Sequence, residues 1–141
     1  MNPLAPPGVT IVIPAYNYAE FLAEAIDSAL AQTHPVSEVL VVDDGSTDET
    51  PHLLEGYAGR IRVVTQDNLG LAAARNTGLR EAGHELVAFL DADDRLLPNM
   101  VGLLQGTLSL VGHEYALVSA CHAYIDASGR PLAKTMRGPA E

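Results

Sequence analysis

The stretch Leu86–Asp94, Leu-Val-Ala-Phe-Leu-Asp-Ala-Asp-Asp, decides how the chain folds. Five apolar residues run directly into three carboxylates. A short run rich in Val, Phe and Leu suits a strand buried on both faces of a parallel sheet. Its acids then emerge at the carboxyl end of that strand, where open α/β sheets bind their ligands. Asp91 and Asp93 are two apart, so an extended backbone points both to one side. Neighbouring carboxylates disfavour each other's charge unless a cation lies between them, and a hard divalent cation takes oxygen ligands. The other reading is a helix N-terminus: Asp93 or Asp94 caps a helix opening near Pro98.

Composition narrows the class. The chain has 141 residues, of which 48% are hydrophobic, enough for one domain over residues 1–141 with a sizeable core. The formal net charge of −10, from 18 acids against 8 Lys and Arg, argues against nucleic acid as a partner. An anionic ligand then needs a metal or a local basic group. Cys121 is the single cysteine, which rules out an intrachain disulfide and fits a reducing compartment. The first eight residues lack the pattern of a signal peptide, and no apolar segment approaches the ~20 residues of a membrane span. The expected location is cytoplasmic, with attachment to the cytoplasmic face of a membrane left open for a longer protein.

Outward from the quoted stretch, three more strands and their helices fall into place. Val9 to Ile13 is a β-branched run stopped by Pro14. Asn17 and Glu20 resemble a capping box for a helix from about Tyr18 to Gln32, whose apolar residues Phe21, Leu22, Ala25, Ile26, Ala29 and Leu30 share a face. Val39 to Val42 is a second buried strand, ending in Asp43-Asp44-Gly45. Ser46 with Glu49 forms a second box, for a short helix that starts as late as Thr50. Ile61 to Thr65 is the third strand. Asn68 and Gly70 open a helix whose small residues imply close packing on the sheet, with Gly83 as its C-cap. After the quoted stretch, Pro98 to Leu110 reads as a helix with Met100, Leu103, Leu104 and Leu108 inward. Ala116 to Tyr124 reads as a further strand, and Leu132 to Thr135 as a strand pairing back across the Asp126–Gly129 turn. The tail from Met136 to Glu141 has no pattern. Alternating strands and helices specify a mostly parallel, Rossmann-like α/β sheet with helices on both faces and a C-terminal strand or hairpin. Right-handed crossovers put the ends of the first, second and fourth strands on one rim.

Pro14-Ala15-Tyr16, Asp43-Asp44 and Asp91-Ala92-Asp93 each follow a buried strand, and Arg75 lies on the helix that feeds the fourth. Four stretches then match a known family in order: Val-Thr-Ile-Val-Ile-Pro-Ala-Tyr-Asn (9–17), Val-Val-Asp-Asp-Gly-Ser-Thr-Asp (41–48), Asn-Leu-Gly-Leu-Ala-Ala-Ala-Arg-Asn-Thr-Gly (68–78) and Phe-Leu-Asp-Ala-Asp-Asp (89–94). Together they resemble family 2 glycosyltransferases of the GT-A fold, over nearly the whole chain. The resemblance implies a nucleotide-sugar donor, a UDP-sugar being favoured. Pro14, Ala15 and Tyr16 would line the nucleoside pocket. Asp44 would accept a hydrogen bond from the base, most naturally the uracil imide N–H, while Asp43 would orient the turn or the ribose. Asp91-Ala92-Asp93 would be the Asp-x-Asp motif, with Asp93, helped by Asp91, holding Mg2+ or Mn2+ against the diphosphate. Arg75 would balance charge at the phosphates or the base; an ion pair with Glu81 or Asp67 is its other reading.

The resemblance also implies sugar transfer with inversion to a saccharide or lipid acceptor. The catalytic base and much of the acceptor site are expected in a later segment, after Thr135, so no catalytic residue is assigned within this chain. The 141 residues are expected to bind donor and metal weakly, to transfer sugar poorly or not at all, and to self-associate as a homo-oligomer through exposed apolar surface. A non-catalytic nucleotide-sugar binding or assembly module is the alternative. A dinucleotide-binding oxidoreductase is disfavoured, because no Gly-x-Gly-x-x-Gly turn follows the first strand. A nucleotidyltransferase would carry a basic glycine-rich loop after the first strand, which this sequence lacks, and a phosphoacceptor domain would carry its acid pair after the first strand rather than the second. The five histidines have no ligand spacing.

Overall fold

The computed structural model describes residues 7–111 and 116–135. The chain divides into two compact units, residues 1–101 and 102–141. The first carries β1 (Val9–Ala15), α1 (Ala19–Leu30), β2 (Glu38–Asp43), α2 (Thr50–Glu55), β3 (Arg62–Thr65), α3 (Leu71–Glu81) and β4 (Leu86–Phe89). Its sheet has the order β3-β2-β1-β4, and every pairing is parallel. The central pair registers Ile11 with Val39 and Ala15 with Asp43, so β1 and β2 end level.

Both faces of the sheet are covered, as the alternation of side chains along β1 requires. Ile11 and Ile13 point to a cluster with Leu22, Ala25, Ile26 and Ala29 of α1 and Leu54 of α2. Val12, between them, points the other way and joins Leu40, Val42 and Ala74 of α3. The small residues of α3 do pack close: a Cβ added to Gly78 would lie 2.3 Å from Val12 Cγ1. Below the sheet, at the opposite end from the acids, buried Thr10 donates through Oγ1 to Glu38 Oε2 at 2.8 Å. The Gly83 N–H donates to the same oxygen. Burial alone would raise the Glu38 pKa, but these two donors and Arg62 outweigh it and hold the carboxyl below its usual range.

Several local expectations change. β4 is partly exposed rather than buried on both faces, and Phe89 is 41% exposed. The cause is position: among the described residues β4 pairs only with β1, at the edge of the sheet. The helix expected from Tyr18 starts at Ala19, and Tyr18 at its N-cap makes no side-chain cap bond. No capping box forms at Asn17, whose φ of 56° is left-handed. α3 ends with Ala82, not Gly83, at its C-cap.

α4 (Met100–Val111) begins at the boundary and runs through the start of the second unit. Val101 is buried, whereas Leu103, expected inward, is 58% exposed. The strand expected over 116–124 shrinks to β5 (Ala123–Ile125), which pairs antiparallel with β6 (Pro131–Thr135). The hairpin turn is held by Asp126, whose Oδ1 accepts from the Ser128 and Arg130 N–H groups. Residues 1–6 and the tail 136–141 lie outside the described residues. No helix among the described residues is long and apolar enough to cross a membrane.

Candidate functional site

A cleft of about 410 Å3 opens at the carboxyl ends of the strands in the first unit. Pro14, Ala15 and Tyr16 from the end of β1 line it, with Tyr18, Asp44, Asn68, Gly70, Leu71, Ala74, Asp91, Ala92 and Asp93. Three of the sequence-derived segments therefore converge, as parallel strands of equal register require. Asp43 and Arg75 are not on the wall. Asp43 Oδ1 accepts from the Ser46 N–H at 3.0 Å, which closes the turn after β2. Arg75 donates from Nη2 to Asp91 Oδ1 at 2.6 Å, so its partner is Asp91 rather than Glu81 or Asp67. Glu81 is paired instead with Arg62. The Arg75 Nε is buried and has no hydrogen-bond partner among the described residues.

The fourth part of the rim was not anticipated. The segment after β3, residues 66–70, reaches the same edge and supplies Asn68 and Gly70. Topology was the available signal: β3 is parallel to β2, so its end shares the rim. Asp44 is the centre of this region. It is 3% exposed, and its Oδ1 accepts from Gln66 Nε2 at 2.6 Å and the Leu69 N–H at 3.0 Å. Its Oδ2 accepts from the Gly70 N–H at 2.8 Å. Burial acts to raise the Asp44 pKa, but these three donors prevail and hold the carboxyl below its ordinary range. Gly45 makes the close approach possible: with φ 75° it bends sharply, and a Cβ there would stand 3.0 Å from the Asn68 nitrogen.

A second set of bonds clasps the first two loops. The Asn17 N–H donates to Ser46 Oγ at 3.0 Å, and Asn17 Oδ1 accepts from the Thr47 N–H at 2.8 Å and the Asp48 N–H at 3.3 Å. Asp48 reaches back, accepting from the Ala19 N–H at 3.2 Å, and also receives the Thr50 N–H at 2.9 Å. Neither Asn17 nor Ser46 caps its own helix. Asp48 serves the amino ends of both α1 and α2.

The acids present one open carboxylate, Asp93, which is exposed and unpaired among the described residues. No group of three or more His, Cys, Asp or Glu among the described residues forms a ready metal cage. The donor set nevertheless suits Mg2+ or Mn2+ carried on a diphosphate. Mg2+ is ordinarily held by one or two carboxylates, with phosphate oxygens and waters completing the shell. Asp93 and Asp91 offer that number on one wall.

Residues 10–137 match the family described as Glycosyl transferase family 2. An uncharacterized glycosyltransferase of Bacillus subtilis, EpsJ, is 40% identical over 114 residues, covering 75% of this chain and 33% of the relative. One from a Nostoc species is 44% identical over 95 residues, covering 64% of this chain and 30% of the relative. The chain thus spans about a third of the length of these relatives. Among solved structures, Staphylococcus aureus TarS in complex with UDP superposes with a TM-score of 0.63 and 27% identity, over 73% of this chain and 32% of that one. A mannosyltransferase of Pyrobaculum calidifontis in complex with GDP-Man and Mn2+ gives 0.57 and 36%, over 66% of this chain and 29% of that one. The alternating α/β order, the parallel sheet with its rim cleft, and these matches place the fold in the GT-A type, and the chain belongs to family 2 of the glycosyl transferases.

Proposed function

We propose that the cleft binds a nucleoside-diphosphate sugar together with Mg2+ or Mn2+, as the donor half of a glycosyltransferase. One observation carries this reading: Pro14–Tyr16, Asp44 and Asp91–Asp93 line a single cleft of about 410 Å3, large enough for a nucleotide. The base sits beside Tyr16 and donates an N–H to the free edge of Asp44; a UDP-sugar is the favoured donor. Asp93, with Asp91 beside it, would hold the cation that accompanies the diphosphate. A bound cation would stabilise the negative charge that grows on the leaving diphosphate. It also offsets the repulsion between an anionic donor and a chain of net charge −10. Arg75 positions Asp91 through its hydrogen bond to Oδ1, and its positive charge would offset part of that on the phosphates.

The sugar passes to a saccharide or lipid acceptor with inversion, and the proton of the acceptor hydroxyl must go to a base. Among the described residues the cleft wall holds no carboxylate besides Asp44, Asp91 and Asp93 and no imidazole, and this reading already gives each of the three acids a task. The 141 residues alone should therefore transfer sugar slowly or not at all. Calorimetric titration of UDP and GDP, with and without Mn2+, tests the donor reading on the native chain and on Asp93→Ala. The metal-dependent part of binding should disappear in the variant; its survival would overturn the assignment of Asp93.

A further inference from the structure

We infer that Gln66, acting through Asp44, is a specificity-determining residue that restricts the cleft to a nucleobase offering a single N–H, uracil rather than guanine. The inference rests on the proposal above that the base reaches Asp44, and it adds a residue that is not on the cleft wall. A carboxylate oxygen offers two acceptor directions, four for the group. At Asp44 three are occupied. Both directions of Oδ1 are filled by Gln66 Nε2 and the Leu69 N–H, and one of Oδ2 by the Gly70 N–H. One acceptor direction remains, on Oδ2.

Gln66 holds this arrangement firmly. Its own N–H donates to the Asp43 carbonyl at 2.9 Å, so its backbone is fixed to the end of β2. Its side chain is half-buried. Because the ionised Asp44 can only accept, the amide nitrogen and not the amide oxygen must face it.

The bases differ in what they bring to one free acceptor. Uracil has a single imide donor, N3–H, flanked by carbonyls. Guanine presents N1–H and the 2-amino group side by side, and a carboxylate satisfies them only with both oxygens. Here the amino N–H meets Oδ1, whose directions are taken, and it is left without a partner. Hypoxanthine isolates this difference, since it has N1–H and the purine bulk of guanine but no amino group.

The test is calorimetric titration of UDP, IDP and GDP with Mn2+ against the full chain, native and Gln66→Leu. In the native chain GDP should bind about fivefold or more weakly than IDP, the effect of one orphaned donor. In the leucine variant Oδ1 regains a direction, and the gap should close to within about twofold by the same reasoning. Native GDP binding equal to or tighter than IDP overturns the inference, as does an unchanged ratio in a folded variant. If the variant does not fold, the native IDP-to-GDP ratio decides alone. UDP methylated at N3 is the separate control: loss of its binding places the base at Asp44, and undiminished binding sinks the inference while sparing the diphosphate site. Failure of all the nucleotides to bind overturns the donor-cleft reading itself.

Discussion

Removing the Asp44 carboxylate should weaken the fold before it touches any chemistry. Asp44→Ala releases three donors at once: Gln66 Nε2, the Leu69 N–H and the Gly70 N–H. Hydrogen bonds to a charged acceptor are each worth about 1.5–3 kcal/mol, but water entering from the cleft restores part of that. Allowing about 1 kcal/mol per bond gives a loss of about 3 kcal/mol, a large share of the ~5–15 kcal/mol that holds a domain together. At a urea slope of about 1.5 kcal/mol/M the midpoint should fall by about 2 M. Asp44→Asn keeps one acceptor oxygen and places an NH2 group against a donor, so about half the loss, about 1 M, is expected. Urea denaturation at neutral pH, followed by far-UV circular dichroism, measures both. A midpoint within about 0.3 M of the native chain for Asp44→Ala, at unchanged slope, would refute the claim that this carboxylate anchors the segment after β3.

Other outcomes follow from the same contacts. Asn17→Ala loses the acceptor for Thr47 and Asp48 and sets a Cβ residue without a side-chain hydrogen bond at φ 56°, so thermal unfolding should show a loss of about 1–2 kcal/mol, with Asn17→Asp recovering most of it. Gly78→Ala gains helix propensity but drives a methyl into Val12, a net cost of about 1–2 kcal/mol in denaturation; relief by the paired change Val12→Ala would confirm the close approach. Glu38, Asp44 and Asp48 all have carboxyls held below their ordinary range, so the stability they add is full above the unfolded values near pH 4 and is lost as pH falls through the lowered folded values. Glu38→Gln should flatten that acid limb in a pH series of unfolding midpoints, and an unaltered limb would count against it.

Much of the sheet was legible because its signals are local. Val9 to Ile13 and Val39 to Val42 are β-branched runs that no helix would favour, and their parallel pairing follows from the helix between them. The convergence of Tyr16, Asp44 and Asp91–Asp93 followed in turn, since strand ends in a parallel sheet share an edge. What escaped was decided by partners distant in sequence. Asn17 three residues before Glu20 looks like a cap, yet the αL backbone at Asn17 turns its side chain to Thr47 and Asp48, thirty residues away. Gln66 carried no motif of its own; only the path of the chain after β3 brings it to Asp44. The exposure of Phe89 could not be read from Leu-Val-Ala-Phe-Leu, because composition alone does not distinguish a central strand from an edge.

The clasp between Asn17, Ser46 and Asp48 has a kinetic consequence. Both loops beside Tyr16 and Tyr18 are tied to each other through main-chain amides, so the ordering entropy of that wall is spent during folding and not on encounter with a ligand. Amide hydrogens at Asn17, Thr47 and Asp48 should already exchange slowly in the ligand-free chain, and any ligand of the cleft should meet a wall in its final shape.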